Sequence, residues 1–279
     1  MINFIKIIRP LNLLIIVICI ILSTLILDKF NINIIPLICV IVFLAAFANV
    51  INDIIDYQVD LENQLNRPLV SGAMKINSAK LYAAILFMLA LLVTMSFSFD
   101  TLTLQLIFYI NVPLIILYTS FFKRIPLLGN CVVALNLAMV FVVSTTYVKG
   151  NLYIMAPPII FSFLLMLIRE LIKDIADLEG DKKFHITTFP VKFGVPASFN
   201  LFIILLIILI ITSVYYYFTI YTSLIYLISI LLFIITPLLY YVYQFSKNKN
   251  STYCIYLSKV LKLITIFGVI VIFLANFLN

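Results

Sequence analysis

Six aspartates of this chain fall into two groups with one spacing: Asp53, Asp56 and Asp60, then Asp174, Asp177 and Asp181, each at i, i+3 and i+7. On a continuous α-helix these offsets predict three carboxylates along one face. Like charges so placed repel by a few tenths of a kcal/mol (~0.2–0.5) per pair on an isolated helix. Solvated helix ends explain one such group; two in the same phase are hard to obtain by chance. Stacked carboxylates suit a hard cation. Mg²⁺ takes one or two of them and completes its shell with water and substrate phosphate oxygens, so two facing groups could hold two Mg²⁺ around one diphosphate. The alternate-acid loop of an EF-hand is absent. Basic residues supply the other half of a diphosphate site: Arg9, Arg67, Lys123, Arg124 and Lys173. Arg67 and Lys173 are the better placed, in or just after an aspartate group.

The elements that must carry these groups are helices in lipid. Of 279 residues, 65% are hydrophobic and 10% charged, and the mean hydropathy is +1.24. One globular core cannot hide that much apolar surface, which excludes a soluble enzyme or a secreted scaffold. Cys19, Cys39, Cys131 and Cys254 lie in or beside apolar runs without metal or disulfide spacing, and His185 is the one histidine. That predicts packing cysteines and excludes a zinc protein. The net charge of +7 comes without a basic run interleaved with aromatics, so nucleic acid is not a predicted partner.

Apolar runs of about 20 residues predict nine transmembrane helices, near 11–27, 34–53, 79–98, 102–122, 127–148, 152–172, 197–218, 223–244 and 256–278. Asp100 marks a turn between the third and fourth. A cleaved signal peptide at the first run is the weaker reading, because no small-residue cleavage site follows it. Of the 18 Lys and Arg, 16 fall on one side of these spans; Lys29 and Lys149 fall on the other. The positive-inside rule then predicts a cytoplasmic N-terminus, with the C-terminus outside. Nine of the eleven acids also lie on the cytoplasmic side, mostly in two long loops, 54–78 and 173–196. Loops of that length are usually functional. The fold expectation is one all-α polytopic membrane domain over 1–279. The two aspartate groups, 121 residues apart, hint at a pseudo-repeat of spans 1–4 in spans 5–8.

At these residues the chain resembles the UbiA superfamily of intramembrane prenyltransferases. The similarity rests on Asn52-Asp53-x-x-Asp56-x-x-x-Asp60 after the second span and Asp174-x-x-Asp177-x-x-x-Asp181 after the sixth. Ile8-Arg9-Pro10-Leu11-Asn12, Arg67-Pro68 with Ser71-Gly72, and Tyr118 with Lys123-Arg124 add to it, over about residues 8–194. Within the superfamily, Arg169-Glu170 and the run from Lys173 to Lys182 resemble the archaeal ether-lipid branch, and part of that motif is shared with chlorophyll and homogentisate prenyltransferases. Two departures stand out: His185 where relatives often carry Gly, and Phe189 where Leu is usual before Pro190.

The resemblance implies a UbiA-type bundle in the cell membrane that takes geranylgeranyl diphosphate and a lipid acceptor, geranylgeranylglyceryl phosphate, with Mg²⁺ as cofactor. It implies metal bridging from Asn52, Asp56, Asp60, Asp177 and Asp181, with Asp53 and Asp174 close by, and Tyr118 near the diphosphate or the cation. For an acceptor carrying its own phosphate, Arg9, Lys123 and Arg124 are cations unclaimed by the aspartate groups. An aromatic or quinone-precursor acceptor would use the same ionisation site. A cation-coupled transporter would place its ionisable groups near the bilayer midplane, whereas here the acids fall at span ends and in loops. The D-G-x-x-A-R core of CDP-alcohol phosphotransferases is missing.

Overall fold

The computed structural model describes residues 2–62, 66–247 and 250–277, leaving aside the side chains of Thr119 and Ser120. Its elements among the described residues are all helical. A short α1 (Ile2–Ile7) precedes α2 (Pro10–Ile26), α3 (Ile35–Ile55), α4 (Tyr57–Glu62) and α5 (Ile76–Ser96). A composite rod, Thr101–Tyr118, joins α6 (Thr101–Gln105) to α7 (Val112–Ser120) through a π-turn at Leu106–Asn111. Then come α8 (Leu128–Tyr147), α9 (Ala156–Ala176), α10 (Leu178–Lys183) and α11 (Phe189–Thr219). A second composite, α12 (Leu224–Ile230) and α13 (Thr236–Lys247), carries a π-turn at Leu231–Ile235 and is followed by α14 (Ser251–Phe277).

Local chemistry sets these boundaries. Proline stands in the first turn of α2, α3, α9 and α11, where its missing N–H leaves no bond unmade. Asp100 caps α6 by accepting from the Thr103 N–H at 3.0 Å, which makes the expected turn. Both π-turns lie just upstream of a proline, Pro113 or Pro237, whose ring cannot sit in an unperturbed helix. In α11 the chain kinks at Gly194, whose φ of 84° suits a residue without a Cβ.

Among the described residues, seven helices are long and apolar enough to cross a membrane: Ile32–Ile55, Ile76–Ser96, Thr101–Tyr118, Leu128–Tyr147, Phe189–Thr219, Leu224–Lys247 and Ser251–Phe277. The other two expected spans fall on α2, which has 17 residues, and α9, whose last two turns carry Arg169, Glu170, Lys173 and Asp174. Helix α9 is the hub, packed by α8, α11 and α14, while α3 packs on α5. A large apolar cluster surrounds α9 and a smaller one joins α1, α3 and α5 through Ile7, Val50 and Ala83. Ile, Leu and Phe remain exposed along the outer faces, as lipid contact requires. Leu278, at the end of the ninth expected span, and Lys249 lie outside the described residues.

Three expectations need correction. Each aspartate group does not ride one unbroken helix: the rod breaks at Asp56 (φ −80°, ψ 1°) and at Asp177 (φ −94°, ψ 6°). Backbone bonds of helical reach still cross both breaks, Asp60 N–H to Asp56 O at 2.8 Å and Asp181 N–H to Asp177 O at 2.9 Å, so the helix bends instead of ending. For the same reason much of the expected loop 173–196 is helical. Finally, Lys259 and Lys262, counted among the sixteen basic residues on one side of the spans, lie within α14. Asn250 accepts from the Tyr253 N–H and starts α14 at Ser251. Lys262 therefore lies about 16 Å along the helix at 1.5 Å per residue.

His185 follows α10 in the left-handed region, at φ 53°, with its side chain exposed. That conformation costs an L-residue about 1 kcal/mol, a cost that the glycine expected here from the resemblance would avoid. His185→Gly is expected to raise the unfolding temperature in detergent; a lower one would mean that the imidazole itself stabilises the turn.

Candidate active site

The first aspartate group is buried and matched charge for charge. Asp53 and Asp60 are 2% and 3% exposed. Arg67 bridges them, its Nη1 lying 2.9 Å from Asp53 Oδ1 and in contact with Asp60. Arg9 Nη2 reaches the same Asp53 oxygen at 2.5 Å, and Lys123 Nζ lies 2.7 Å from Asp56 Oδ1. Each cation is placed by local structure. Arg9 adopts φ 55° between α1 and α2, a strained conformation for a side-chain-bearing residue. Asn49 pins the preceding carbonyl, donating to Ile8 O at 2.9 Å. Arg67 starts a turn closed by Ser71 N–H on its carbonyl at 3.0 Å. Lys123 lies on the 3-10 turn Phe122–Arg124, against which Gly129 packs so closely that a Cβ would sit 3.1 Å from Lys123 Cα and Phe122 O.

The second group is held differently. Asp174 accepts from Asn130 Nδ2 at 2.8 Å, and Asp181 from Thr188 Oγ1 at 3.1 Å. No aspartate of this group forms an ion pair among the described residues. Glu62 of α4 contacts Lys183 of α10, which brings the two groups side by side. Burial pushes the Asp60 carboxyl up to about 6; Arg67 opposes this, and Asp56 and Asp53 reinforce it. Burial likewise pushes Asp181 up to about 6 against its Thr188 hydrogen bond, with Asp177 adding to the rise. Asp177 is raised by desolvation, opposed by Lys173 and Lys123. Lys123 thus acts on Asp60, Asp177 and Asp181 as well as on Asp56, so one field covers both groups.

Arg9 and Lys123, expected to be unclaimed, are therefore held by Asp53 and Asp56, because uncompensated buried carboxylates draw in the nearest cations. Lys173 pairs with Glu170 Oε2 at 2.8 Å and not with an aspartate. Arg124 is exposed on the Lys123 turn. Among the described residues no three acids, histidines or cysteines gather round one point. The donor set nevertheless fits a hard dication: all oxygen, with the carboxylates of the second group free of ion pairs among the described residues.

Behind the aspartates lies a cavity of about 480 Å³. Arg9, Asn52, Arg67, Tyr118, Glu170 and Lys173 line it, and Leu44, Ile115 and Val140 give it apolar walls. It also holds residues that sequence reasoning missed. Arg169 and Lys262 are charges inside apolar runs, a signal of function in itself. Asn111 and Asn136, whose buried Oδ1 atoms lack a partner among the described residues, gave no such signal.

A family model described as the UbiA prenyltransferase family matches residues 12–256. A digeranylgeranylglyceryl phosphate synthase of Methanobrevibacter smithii is 30% identical over 98% of this chain and 95% of its own. One from Methanosphaera stadtmanae is 34% identical over 82% of this chain and 83% of its own. A solved structure concerning digeranylgeranylglyceryl phosphate synthase superposes with a TM-score of 0.76 at 28% identity, covering 99% of this chain and 98% of that one. A UbiA homolog from Archaeoglobus fulgidus, solved with GPP and Mg²⁺, shares the fold at a TM-score of 0.68 and 18% identity, over 97% and 99% of the two chains.

Two outcomes follow from the geometry. Gly129→Ala must displace the Lys123 backbone by a few tenths of an ångström and is expected to cut turnover about tenfold; unchanged turnover would mean that the turn gives way freely. Raised carboxylate values mean that the folded, ligand-free protein binds protons up to about pH 6 at Asp60 and Asp181. A divalent cation competes with those protons. Its affinity is expected to fall about tenfold per pH unit below 6 for each carboxylate that must ionise. By the same sign, these groups weaken the ligand-free fold as pH rises from about 4 to 6. Titration calorimetry giving the same cation affinity at pH 5 and pH 7 would remove both residues from the ligand set.

Proposed function

The chain belongs to the UbiA prenyltransferase family, and on that premise we propose that it transfers a geranylgeranyl group from its diphosphate to geranylgeranylglyceryl phosphate in archaeal ether-lipid synthesis. The observation that carries this reading is the cavity itself. Its lining carries Asn52, Arg9 and Arg67, the two arginines paired with aspartates of the first group, together with Lys173 next to the second, and its remaining walls are largely apolar. The shared name of the archaeal relatives supports the acceptor, and the ligands of the Archaeoglobus homolog support an allylic diphosphate with Mg²⁺.

Asn52, Asp53, Asp56 and Asp60 from one side, and Asp174, Asp177 and Asp181 from the other, would hold Mg²⁺, which supplies Lewis-acid stabilisation of the departing diphosphate. Arg9, Arg67 and Lys123 exchange their carboxylates for phosphate oxygens, charge-assisted contacts that Arg makes in pairs. Lys173 and Arg124 add positive charge at the mouth. As the allylic carbon–oxygen bond breaks, Tyr118 offers an aromatic ring to the developing cation, and Leu44, Ile115 and Val140 keep water from it. The glycerol hydroxyl oxygen then forms the ether bond and its proton leaves with the products.

The architecture in this reading has nine membrane helices, α2 and α9 joining the seven long apolar ones, in one domain. Spans 1–4 repeat in spans 5–8, as the offset of 121 residues between Glu62 and Lys183, which touch, suggests for a two-fold arrangement. The N-terminus and both aspartate segments face the cytoplasm, with the C-terminus outside.

Purified protein given geranylgeranyl diphosphate, Mg²⁺ and a panel of acceptors is expected to yield the doubly ethered lipid phosphate, read by mass. Products from an aromatic acid or a quinol instead would overturn the acceptor. Asp56→Ala or Asp177→Ala should lower turnover at least a hundredfold (~10²) with membrane insertion intact, and chelation should stop the reaction until Mg²⁺ is returned. Single cysteines at Asn66 and Lys183 should label from the cytoplasmic face alone; labelling from opposite faces would separate the two groups and sink the shared site.

A further inference from the structure

Not every cation of the cavity belongs to the aspartates. Arg169 Nη1 lies 2.6 Å from Glu170 Oε1, and Lys173 takes the other Glu170 oxygen. Lys262 Nζ donates to Asn12 Oδ1 at 2.5 Å and has no carboxylate in ion-pair reach among the described residues. All of them line the one cavity. Arg169, Lys173 and Lys262 against Glu170 leave two positive charges in excess. None of these three basic side chains forms an ion pair with an aspartate among the described residues.

Holding helices together does not account for this charge. Arg169 Nε ties α9 to α14 through Ser258 O at 3.2 Å, and Lys262 ties α14 to α2 through Asn12. The second tie is a single hydrogen bond to an amide oxygen, which a neutral donor can also make. A cation three turns inside a membrane helix is costly to keep, and such residues face a cavity and serve a ligand by default.

We propose that Lys262 and Arg169, with Asn12 positioning the ammonium, form a second anion subsite that takes the phosphate monoester of the acceptor. The donor's diphosphate is left to Arg9, Arg67 and Lys123. A monoester dianion matches the excess of two charges. The unpartnered oxygens of Asn111 and Asn136 on the same cavity call for a hydroxyl donor, which a glycerol phosphate brings and a bare anion does not. The inference rests on the acceptor reading above and assigns to it residues outside the aspartate motifs.

Lys262→Gln keeps an N–H donor on the side chain facing Asn12 and removes the charge. It is expected to raise the KM for geranylgeranylglyceryl phosphate about tenfold or more, with the KM for geranylgeranyl diphosphate within about twofold of wild type. Wild-type preference for the phosphorylated acceptor over geranylgeranylglycerol should collapse in Lys262→Gln and persist in Lys262→Arg. Asn12→Ala, which frees the ammonium, should raise the acceptor KM severalfold and serves if the first variant does not accumulate. Equal rises in both KM values, or an unchanged preference for the phosphate, would overturn the subsite while leaving the acceptor reading intact. Wild-type protein that ignores geranylgeranylglyceryl phosphate would overturn both.

Discussion

Six aspartates share one end of a bundle in lipid, and their mutual repulsion is the constraint that the rest of that end answers. Two unit charges 4 Å apart interact by about 4 kcal/mol at the effective dielectric of a protein's outer layers. The chain relieves this in two ways. Around Asp53, Asp56 and Asp60 it imports cations from three distant segments, Arg9, Arg67 and Lys123. Around Asp174, Asp177 and Asp181 it offers only the Asn130 amide and the Thr188 hydroxyl at hydrogen-bond distance, and Asp177 and Asp181 rise in pKa without an ion pair, as Asp60 does despite Arg67. A site neutral on one side and still electron-rich on the other is suited to exchange: an incoming anion competes for the cations while an incoming cation finds carboxylates waiting.

The same device delivers both groups. Helix α3 and helix α9 each have 21 residues, break at an aspartate and resume as a six-residue helix, α4 or α10. A straight helix would carry its third carboxylate away along the axis. The bend turns it off that axis, and the contact of Glu62 with Lys183 brings the two short helices together. The turn from Phe122 to Asn130 then spans the groups, with Lys123 on Asp56 and Asn130 on Asp174. Its tight packing at Gly129 explains why so small a residue stands at the start of α8.

The sequence is most legible where chemistry and periodicity are local. The aspartate spacing, the apolar runs, the cap at Asp100 and the proximity of Arg67 to its partners are all short-range features. The pairings of Arg9 and Lys123 are not, because each bridges segments more than forty residues apart in the chain. Asn130 and Gly129 act through close approach of a neighbouring turn, which no residue type announces. Lys262 counts with the basic residues on one side of the spans for a different reason. Hydropathy marks where a chain can enter hydrocarbon, not where its helix begins, and the Asn250 cap starts α14 well before the apolar run. Phe189, where the resemblance expects Leu, packs on Phe193 with centroids 4.8 Å apart and ring planes tilted by 43°, so the larger side chain is absorbed by a neighbour one turn on.

Charged walls and a cation-forming reaction make opposite demands on the same volume. Arg169, Glu170, Lys173 and Lys262 need water or counter-ions when the cavity is empty, since ionised groups are not stable bare in hydrocarbon. An allylic cation formed there needs water gone. The conflict resolves if the substrates do the drying. Isoprenoid chains displace water from the Leu44, Ile115 and Val140 walls, and their phosphate groups replace it on the basic side chains. The ionisation site becomes dry only when both anionic headgroups are seated. On this logic the depth of Lys262 and Arg169 has a purpose beyond affinity: an acceptor anchored within the cavity completes the exclusion of water, so that the cation forms with its proper nucleophile in place.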